Sequence, residues 1–465
     1  MYFRQILRTD IGCAAYLVAS DDTGLAAVVD PRIDMVDEIL GLLEREGLTL
    51  RYIVETHNHA DHVSGHHQLA EVTGATIAVS ALAGVAYPHL PLHDGDELEL
   101  GEVVLRAIHT PGHRPEHIVI AVIDRSRGSD PWLVLTGDTL FVGDVARPDL
   151  AVDGVEGAAA LFDSLHQRLL QLPPGTLVFP GHVAGSLCGR VANRMTGTTI
   201  GFEASHNPAL HIRDRDTFVR FMNENLPERP PNLSRIVELN RGAAVPRTGA
   251  TTPLTPQRVR ELLEQGATLL DVRSPAAFAA SHIPGAISVA LDGGQFQNRV
   301  GLVLPPDRPV VLVVERDEDA RRAVLMLAVI GYDQVVGYLA GGMPAWERAG
   351  YPCRTLPVLT VHELARWLKE RRFVQVIDVR ERSEWIEGHI EGARHIPFYR
   401  LLDALGQPDF SQPLVLICGS GTRSVLAGSL LQAHGFDHVY SVEGGMDAWR
   451  AAGYPVARGA AVSVS

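Results

Sequence analysis

The sequence predicts an α/β protein of several domains, in which an α/β sandwich with a metal site precedes two copies of a smaller α/β domain. Three observations predict this architecture. The chain has 465 residues, which suggests two to four domains that each bury a core. In the first half, short apolar runs end in histidine- and aspartate-containing motifs. In the last two hundred residues, one pattern occurs twice at a spacing of about a hundred residues.

The composition is that of an ordinary globular protein, with 46% apolar and 21% charged residues. The formal net charge of -14 argues against non-specific binding to nucleic acid or to an anionic membrane. The four cysteines are widely spaced and form no CxxC pair, which fits a reducing compartment: Cys13, Cys188, Cys353 and Cys418. The N-terminus lacks a signal-peptide pattern, and no apolar run is long enough to span a membrane. We expect a soluble cytoplasmic protein.

The elements of the first half follow from apolar runs, helical periodicity and turn residues. Helical periodicity is predicted for 35–46 and 66–72. Strands are predicted at 14–19, 25–29, 52–54, 75–79, 103–108, 118–123, 132–135 and 177–179.

Metal ligands are predicted just past the ends of four of these strands. The first motif, Thr56 to His62, contains His57, His59, Asp61 and His62. The later motifs supply His113 in a Thr-Pro-Gly-His segment, Asp138 in Thr-Gly-Asp and His182 in Pro-Gly-His. Imidazole and carboxylate groups together suit a borderline divalent metal. A histidine-rich surface turn is the alternative for the first motif alone, and the partner motifs downstream argue against it.

The second half begins after a proline-rich stretch that predicts a linker at 242–256, so the first domain is expected at 1–241. Residues 269–286 match 376–393, and a Gly-Gly-Met motif followed by Ala-Trp also occurs twice. Apolar strands such as 310–314 and 414–417 alternate with helical stretches, which predicts parallel sheets. The two copies are expected at 257–355 and 357–457.

The motifs of the first domain resemble the metallo-β-lactamase superfamily, and within it most closely the persulfide dioxygenases. The stretch 136–150 and the domain end at 236–241 carry the closer likeness. The resemblance implies an αββα sandwich and one non-haem Fe(II) held by His57, His113 and Asp138. Two histidines and one carboxylate leave three iron positions open for substrate and O2.

The remaining motif residues leave an alternative open: His59, Asp61, His62 and His182. They either support the iron ligands and hold waters, or build a second metal position. Two Zn2+ ions there would favour a thioester hydrolase of the glyoxalase II kind. Arg147 and Cys188 are candidates for the pocket. For Arg147 the alternative is a structural turn with Asp149, and for Cys188 it is an inert packed thiol.

A second reactive site is predicted at Cys418, which follows an apolar strand in a Gly-containing loop that opens a helix. Backbone N–H groups and the helix N-terminus there stabilise a thiolate or persulfide. Arg423 adds a charge suited to sulfite or thiosulfate. The loop, with 378–381 and 388–390, resembles a rhodanese sulfurtransferase, which implies that Cys418 carries a persulfide. The first copy has no cysteine in this loop (313–319), so we expect it to be inactive and to act as a spacer, interface or docking surface.

The order of the three domains resembles bacterial persulfide dioxygenase–sulfurtransferase fusions. The resemblance implies oxidation of a low-molecular-weight persulfide by O2 to sulfite and thiol, and formation of thiosulfate by way of Cys418. The thiol carrier is of the glutathione, coenzyme A or cysteine type, and a homo-oligomer is expected. A non-enzymatic sulfur sensor or docking protein is the third class, and two intact reactive sites argue against it.

Overall fold

The computed structural model describes residues 1–10, 12–183, 195–224, 226, 229–245, 249–406 and 412–459. The chain divides into two compact units, Met1–Thr248 with Met326–Asp333, and Gly249–Leu325 with Gln334–Ser465. Both contain sheets and helices, so the predicted α/β class is confirmed. Among the described residues, no helix is both long enough and apolar enough to cross a membrane.

The first unit contains two six-stranded sheets, with the orders β1-β2-β3-β4-β5-β6 and β14-β13-β10-β9-β8-β7, and a small hairpin of β11 and β12. Its strands are β1 Tyr2–Arg8, β2 Cys13–Ala19, β3 Leu25–Val29, β4 Thr49–Glu55, β5 Thr76–Ser80, β6 Leu90–Leu92, β7 Glu97–Glu99, β8 Val103–His109, β9 Ile118–Asp124, β10 Leu133–Gly137, β11 Leu140–Phe141, β12 Asp144–Val145, β13 Leu177–Pro180 and β14 Thr198–Thr199. Its helices are α1 Val36–Glu46, α2 His66–Thr73, α3 Gly154–Gln167, α4 Ile200–His206, α5 Arg215–Asn223 and α6 Leu233–Arg241.

Side-chain alternation along the strands builds a four-layer sandwich, because successive residues of a strand point to opposite faces. In β2, Tyr16 and Val18 join the core between the two sheets, whereas Leu17 packs in the cluster that also contains Ile39 of α1. The outer face of the second sheet packs on α3, where Leu161 is buried. The helix–sheet–sheet–helix layering predicted for this domain is therefore confirmed.

The strand ends bring the predicted motifs to the site. β4 ends at Glu55, directly before the histidine motif, and β10 ends at Gly137, directly before Asp138. β8 lies antiparallel to β9, and β9 antiparallel to β10, so β8 and β10 point the same way. β13 pairs with β10 in parallel, and its end leads to His182. The second sheet thus delivers three of the four motifs at one edge.

The segment Met326–Asp333 belongs to the first unit through contacts near the histidine motif and α6. The backbone N–H of Val63 donates to the carbonyl of Val329 at 2.7 Å. The side-chain amide of Asn232 donates to the carbonyl of Ile330 at 2.9 Å. The first unit is therefore completed by residues that come almost a hundred positions after α6.

The second unit contains two five-stranded sheets with the equivalent orders β15-β19-β18-β16-β17 and β20-β24-β23-β21-β22, and every strand pair in them is parallel. The strands are β15 Pro253–Leu254, β16 Thr268–Asp271, β17 Ile287–Ser288, β18 Val310–Val313, β19 Val335–Leu339, β20 Val358–Leu359, β21 Gln375–Asp378, β22 Arg394–His395, β23 Leu414–Ile417 and β24 Val439–Val442. The helices are α7 Pro256–Glu264, α8 Pro275–Ala280, α9 Phe296–Val303, α10 Asp317–Val329, α11 Gly342–Arg348, α12 Val361–Lys369, α13 Arg382–Glu387, α14 Leu401–Leu405, α15 Thr422–Ala433 and α16 Gly445–Ala451. The end of α10, from Met326, belongs to the first unit. The matching orders confirm the predicted duplication and the parallel sheets. β15 falls within 242–256, for which the sequence predicted a linker.

The repeated Asp-Val-Arg sequence forms the same buried ion pair in both copies. Asp271 binds Arg273, and Asp378 binds Arg380, each with a shortest N–O distance of 2.6 Å. Arg380 also donates to the carbonyl of Gly388 at 2.7 Å. Each pair fixes the turn that follows a central strand, which gives a structural reason for its presence in both copies.

Candidate metal centre and sulfurtransferase loop

Three of the predicted ligands face one another in the first unit: His57, His113 and Asp138. All three side chains are buried, and the Oδ2 atom of Asp138 lies 3.9 Å from Nε2 of His57 and 3.5 Å from Nε2 of His113. The His57 Nε2 and Asp138 Oδ2 atoms have no hydrogen-bond partner in the described part of the chain. Buried polar atoms are normally paired. Unpaired ligand atoms that converge in this way are expected where a metal ion would bind.

Each ligand side chain also makes a contact through the atom that does not face the other two ligands. Nδ1 of His57 lies 2.9 Å from the hydroxyl of Thr56, and Nδ1 of His113 lies 3.0 Å from the carbonyl of Arg147. Nδ1 of His182 lies 2.7 Å from Oδ1 of Asp138. Such contacts fix the orientation of a ligand, and the carbonyl contact leaves Nε2 of His113 free to bind a metal.

The electrostatics of these groups suit metal binding. Burial lowers the pKa of His57, and the neighbouring His59 lowers it further. Burial also lowers the pKa of His113, and Asp138 only partly offsets this. For Asp138, burial raises the pKa, but His182 outweighs burial and the pKa lies below its usual value. Neutral imidazoles and an ionised carboxylate are the protonation states that ligate metals.

A second group lies beside the first and contains Asp61, His62 and His182 together with Cys13. Its members already bond one another: Nε2 of His182 is 2.7 Å from Asp61, and Nδ1 of His62 is 3.2 Å from Asp61. The Cys13 sulfur lies 3.5 Å from Asp61 and 3.6 Å from His182. Burial raises the pKa of Cys13, but the charge of Arg32 and of the two histidines outweighs it and lowers the pKa to about 7.

His59, which the sequence grouped with Asp61, His62 and His182, lies in a third cluster. Its Nε2 is 3.2 Å from Asp30 and 3.1 Å from Glu55. Burial lowers the pKa of His59, but the two carboxylates outweigh burial and raise it well above the usual value. The structure therefore brings three of the four residues together and places His59 with Asp30 and Glu55, two acids that were not among the predicted site residues.

Of the two candidate pocket residues, the structure describes Arg147. Arg147 is buried and forms a bidentate ion pair with Asp149, at 2.7 and 2.8 Å, so the structural-turn alternative describes its side chain. Its backbone carbonyl still supports His113. Arg229 also binds Asp149, at 3.0 Å. Cys188 lies outside the described residues.

The Cys418 loop in the second unit joins β23 to α15, as predicted. Cys418 is buried, and the backbone N–H of Gly421 donates to its sulfur at 3.1 Å. The chain of the second Gly-Gly-Met motif closes over the loop, because the N–H of Met446 donates to the carbonyl of Cys418 at 2.7 Å. A Cβ at Gly445 would lie 2.2 Å from that carbonyl, and its φ is +54°, so the position requires glycine.

Arg423 follows this loop on α15, but its charge is paired. The guanidinium binds Glu384 in a bidentate arrangement at 2.6 and 2.7 Å. Burial raises the pKa of Glu384, but the hydrogen bonds and charge of Arg423 outweigh it and lower the pKa. Arg423 therefore offers an anionic substrate less free charge than the sequence suggested.

Comparisons with known proteins identify the families that the two halves of the chain resemble. The model of the metallo-beta-lactamase superfamily matches residues 8–182, and that of the rhodanese-like domain matches 255–349 and 360–452. The human persulfide dioxygenase ETHE1 is 30% identical over 241 residues, which cover 51% of this chain and 85% of the relative. The chain belongs to the persulfide dioxygenase family. It carries two rhodanese-like domains after the persulfide dioxygenase domain.

The chain is also similar to one solved structure and to one relative from another enzyme class. A metallo-beta-lactamase from Staphylococcus aureus has a TM-score of 0.65 and 29% identity, and the match covers 73% of this chain and 98% of that one. A hydroxyacylglutathione hydrolase from Rhodospirillum rubrum is 35% identical over 173 residues, which cover 36% of this chain and 60% of the relative. The persulfide dioxygenase domain is thus also similar in sequence to a hydroxyacylglutathione hydrolase.

Two residues of the persulfide dioxygenase domain that support the site were not predicted from the sequence. His117 is buried, and its Nε2 accepts a hydrogen bond from the backbone N–H of Asp138 at 3.0 Å. A Cβ at Gly137 would lie 2.7 Å from that nitrogen, and its φ is +45°, so glycine is required before Asp138. Burial is the main cause that lowers the pKa of His117 to about 3, so the ring is neutral.

Asn240, at the end of α6, holds the loop of the histidine motif. Its side-chain amide donates to the carbonyls of His59 and His62 at 2.9 and 2.8 Å. Its Oδ1 accepts from the N–H of Ser64 at 2.8 Å. The segment 236–241 carried part of the family resemblance in the sequence, and these three bonds give that segment a physical role in the persulfide dioxygenase domain.

Proposed function

We propose that the protein oxidises a small-molecule thiol persulfide with O2 and passes sulfane sulfur to the sulfite that forms. The first reaction is RSSH + O2 + H2O → RSH + SO3²⁻ + 2H⁺. The observation that supports it best is the convergence of His57, His113 and Asp138 with unpaired ligand atoms, in a chain of the persulfide dioxygenase family. The carrier thiol is of the glutathione, coenzyme A or cysteine class. A cytoplasmic location and a homo-oligomer remain predictions.

One Fe(II) per dioxygenase domain fits the geometry best. The facing atoms of the first group lie 3.5 and 3.9 Å apart, too far for hydrogen bonds, so they have no better partner than a cation. In the second group, Oδ1 of Asp61 and Nε2 of His62 also lack a hydrogen-bond partner among the described residues. His182, however, bonds Asp61 and Asp138 at 2.7 Å each, so a second metal that used His182 would have to break a contact. Two histidines and one carboxylate are the ligand set of non-haem Fe(II) oxygenases. When bound there, iron supplies the O2 chemistry that side chains lack.

The protein's own groups position the ligands for this reaction. Thr56 and the Arg147 carbonyl hold the two imidazoles, and His182 holds the carboxylate of Asp138. The buried setting limits the access of bulk water to the ligand set. Asn240 keeps the loop that carries His57 in place, since it bonds three backbone groups just after it.

The second reaction uses Cys418. Its thiolate attacks the outer sulfur of a second RSSH, the S–S bond of the donor breaks, and RS⁻ leaves. Sulfite then attacks the outer sulfur of the Cys418 persulfide, the electron pair of that S–S bond returns to the Cys418 thiolate, and thiosulfate leaves. The N–H of Gly421 points at this sulfur and stabilises its anionic forms.

The test is oxygen uptake by iron-loaded protein supplied with glutathione persulfide, with sulfite and thiosulfate measured in the same sample. Rapid uptake that His113→Ala abolishes would support the dioxygenase. Cys418→Ser should keep the uptake but accumulate sulfite in place of thiosulfate. An unchanged thiosulfate yield in Cys418→Ser, without sulfite accumulation, would refute the coupling of the two halves.

A thioester hydrolase of the glyoxalase II kind is the second candidate, and two observations favour it. The similarity to a hydroxyacylglutathione hydrolase is one. The other is the second group of potential ligands beside Asp138. Two Zn2+ ions per chain, hydrolysis of a glutathione thioester and no oxygen uptake with several persulfides would establish this candidate. One iron per chain with oxygen uptake would exclude it.

A further inference from the structure

Arg299, on α9 of the first rhodanese-like domain, reaches the Cys418 loop of the second. Its Nη1 donates to the carbonyl of Gly293 at 2.9 Å. A Cβ built on Gly293 would lie 3.1 Å from that nitrogen and 3.0 Å from Cγ2 of Thr422, the first residue of α15. Because both atoms lie close to one point, the guanidinium of Arg299 lies beside the start of α15.

The charge of Arg299 is not compensated as that of Arg423 is. Arg423 forms two short bonds with Glu384. No carboxylate among the described residues lies within ion-pair distance of Arg299. Burial lowers the pKa of Arg299, the positive charge of Arg423 lowers it further, and Cys418 and Glu384 act in the opposite direction. An arginine nevertheless stays protonated in proteins, so this site holds a positive charge next to the sulfur loop.

A cavity of about 410 Å³ opens beside the same point, and its lining includes Thr422 and Gly293. Three carboxylates also line it, and two of them are paired with arginines. Asp292 and Asp319 bond arginines of the first domain at 2.6 and 2.9 Å, and Glu315 accepts from a backbone N–H at 3.2 Å. Arg299 contacts Gly293 at the Thr422 end of this space and brings a positive charge there, which favours an anionic ligand at that end.

We propose that Arg299 and the Cys418 loop form a binding site for the sulfur oxyanion, sulfite or thiosulfate, that exchanges sulfur with Cys418. This inference rests on the sulfurtransferase half of the proposed function. The first rhodanese-like domain, which lacks the cysteine, then supplies a substrate-binding residue to the second. Guanidinium groups suit oxyanions because their planar N–H donors bond two oxygens at once. Arg299 binds the acceptor and takes no part in the bond changes at the Cys418 persulfide.

The test separates acceptors by charge. Cys418 is first loaded with sulfane sulfur, confirmed by mass, and is then mixed with sulfite or with the uncharged acceptor dithiothreitol in single-turnover experiments. In Arg299→Gln, the sulfite concentration needed for half-maximal rate should rise roughly tenfold or more, as expected for a lost charge-assisted hydrogen bond. Transfer to dithiothreitol should keep its rate. High ionic strength should raise the sulfite concentration needed for half-maximal rate by a larger factor in the wild type than in the variant, because salt screens the charge of Arg299.

Arg258→Gln is the matched control, because Arg258 is in the same domain, its charge is paired with Glu261, and neither residue lines the cavity. It should leave both acceptors unaffected. An unchanged sulfite dependence in Arg299→Gln would overturn the inference, and so would an equal loss with both acceptors, which indicates a structural role. If wild-type Cys418 takes up no sulfane sulfur at all, the sulfurtransferase proposal itself fails and this inference fails with it.

Discussion

Replacing Asn240 by leucine should destabilise the persulfide dioxygenase domain and weaken its metal binding together. The two side chains have similar size, so the change removes hydrogen bonds with little change in volume. Asn240 is buried and bonds three backbone groups of the histidine loop, at 2.8 to 2.9 Å. Each buried group left without a partner costs about 1–3 kcal/mol, so the expected loss is about 3–9 kcal/mol. A whole domain is stable by only about 5–15 kcal/mol.

Asn232→Leu is the matched control. Asn232 is also a buried asparagine next to α6, but the one bond that its amide donates goes to the carbonyl of Ile330 and not to the histidine loop. Its expected loss is about 1–3 kcal/mol for one unpaired group. Both variants would be unfolded with urea in the metal-free and iron-loaded forms, and their iron affinities would be measured. Equal losses of stability, or an unchanged iron affinity in Asn240→Leu, would refute the reasoning.

Three further predictions concern the metal and the ion pairs. Removing the metal with a chelator should lower the unfolding temperature, and Fe(II) should restore it, because a ligand that binds only the folded state stabilises it. Asp378→Asn should cost about 3–5 kcal/mol in urea unfolding, because it leaves Arg380 buried without its anion. The pKa of Glu384 is lowered in the folded state, so the stability it contributes is present above its unfolded pKa of about 4.3 and is lost as the pH falls through the lower folded value. Unfolding measured between about pH 5 and 3 should therefore depend less on pH in Glu384→Gln than in the wild type.

Much of the fold could be predicted because the local signals agree with the tertiary structure. The apolar run at 25–29 corresponds to β3, and the helical periodicity at 35–46 corresponds to α1, which begins at Val36. The His113 and Asp138 motifs could be placed together because both follow the ends of strands that point the same way. The positions of strand ends and of repeated motifs can be read directly from the order of residues along the chain.

The rest of the site depends on contacts that no local pattern encodes. Cys13 begins a strand far from the motifs in sequence, and only the sandwich brings its sulfur within 3.6 Å of His182. His59 stands in the motif, but Asp30 and Glu55 draw it into a different cluster. Arg299 is not part of any motif that the sequence shows. Whether a charge is free or paired depends on the neighbours that the fold supplies, and a sequence does not show them.

The contacts around the histidine loop also set an order of assembly during synthesis. Asn240 bonds residues that precede it by 176 to 181 positions, and Val63, which directly follows the motif, bonds Val329. At a translation rate of about 5–20 residues per second, the loop is made roughly 10–35 s before Asn240. Val329 follows later still, once most of the first rhodanese-like domain has been made. A ribosome must therefore translate well past the family-matched segment at 8–182 before the metal pocket has all its supports.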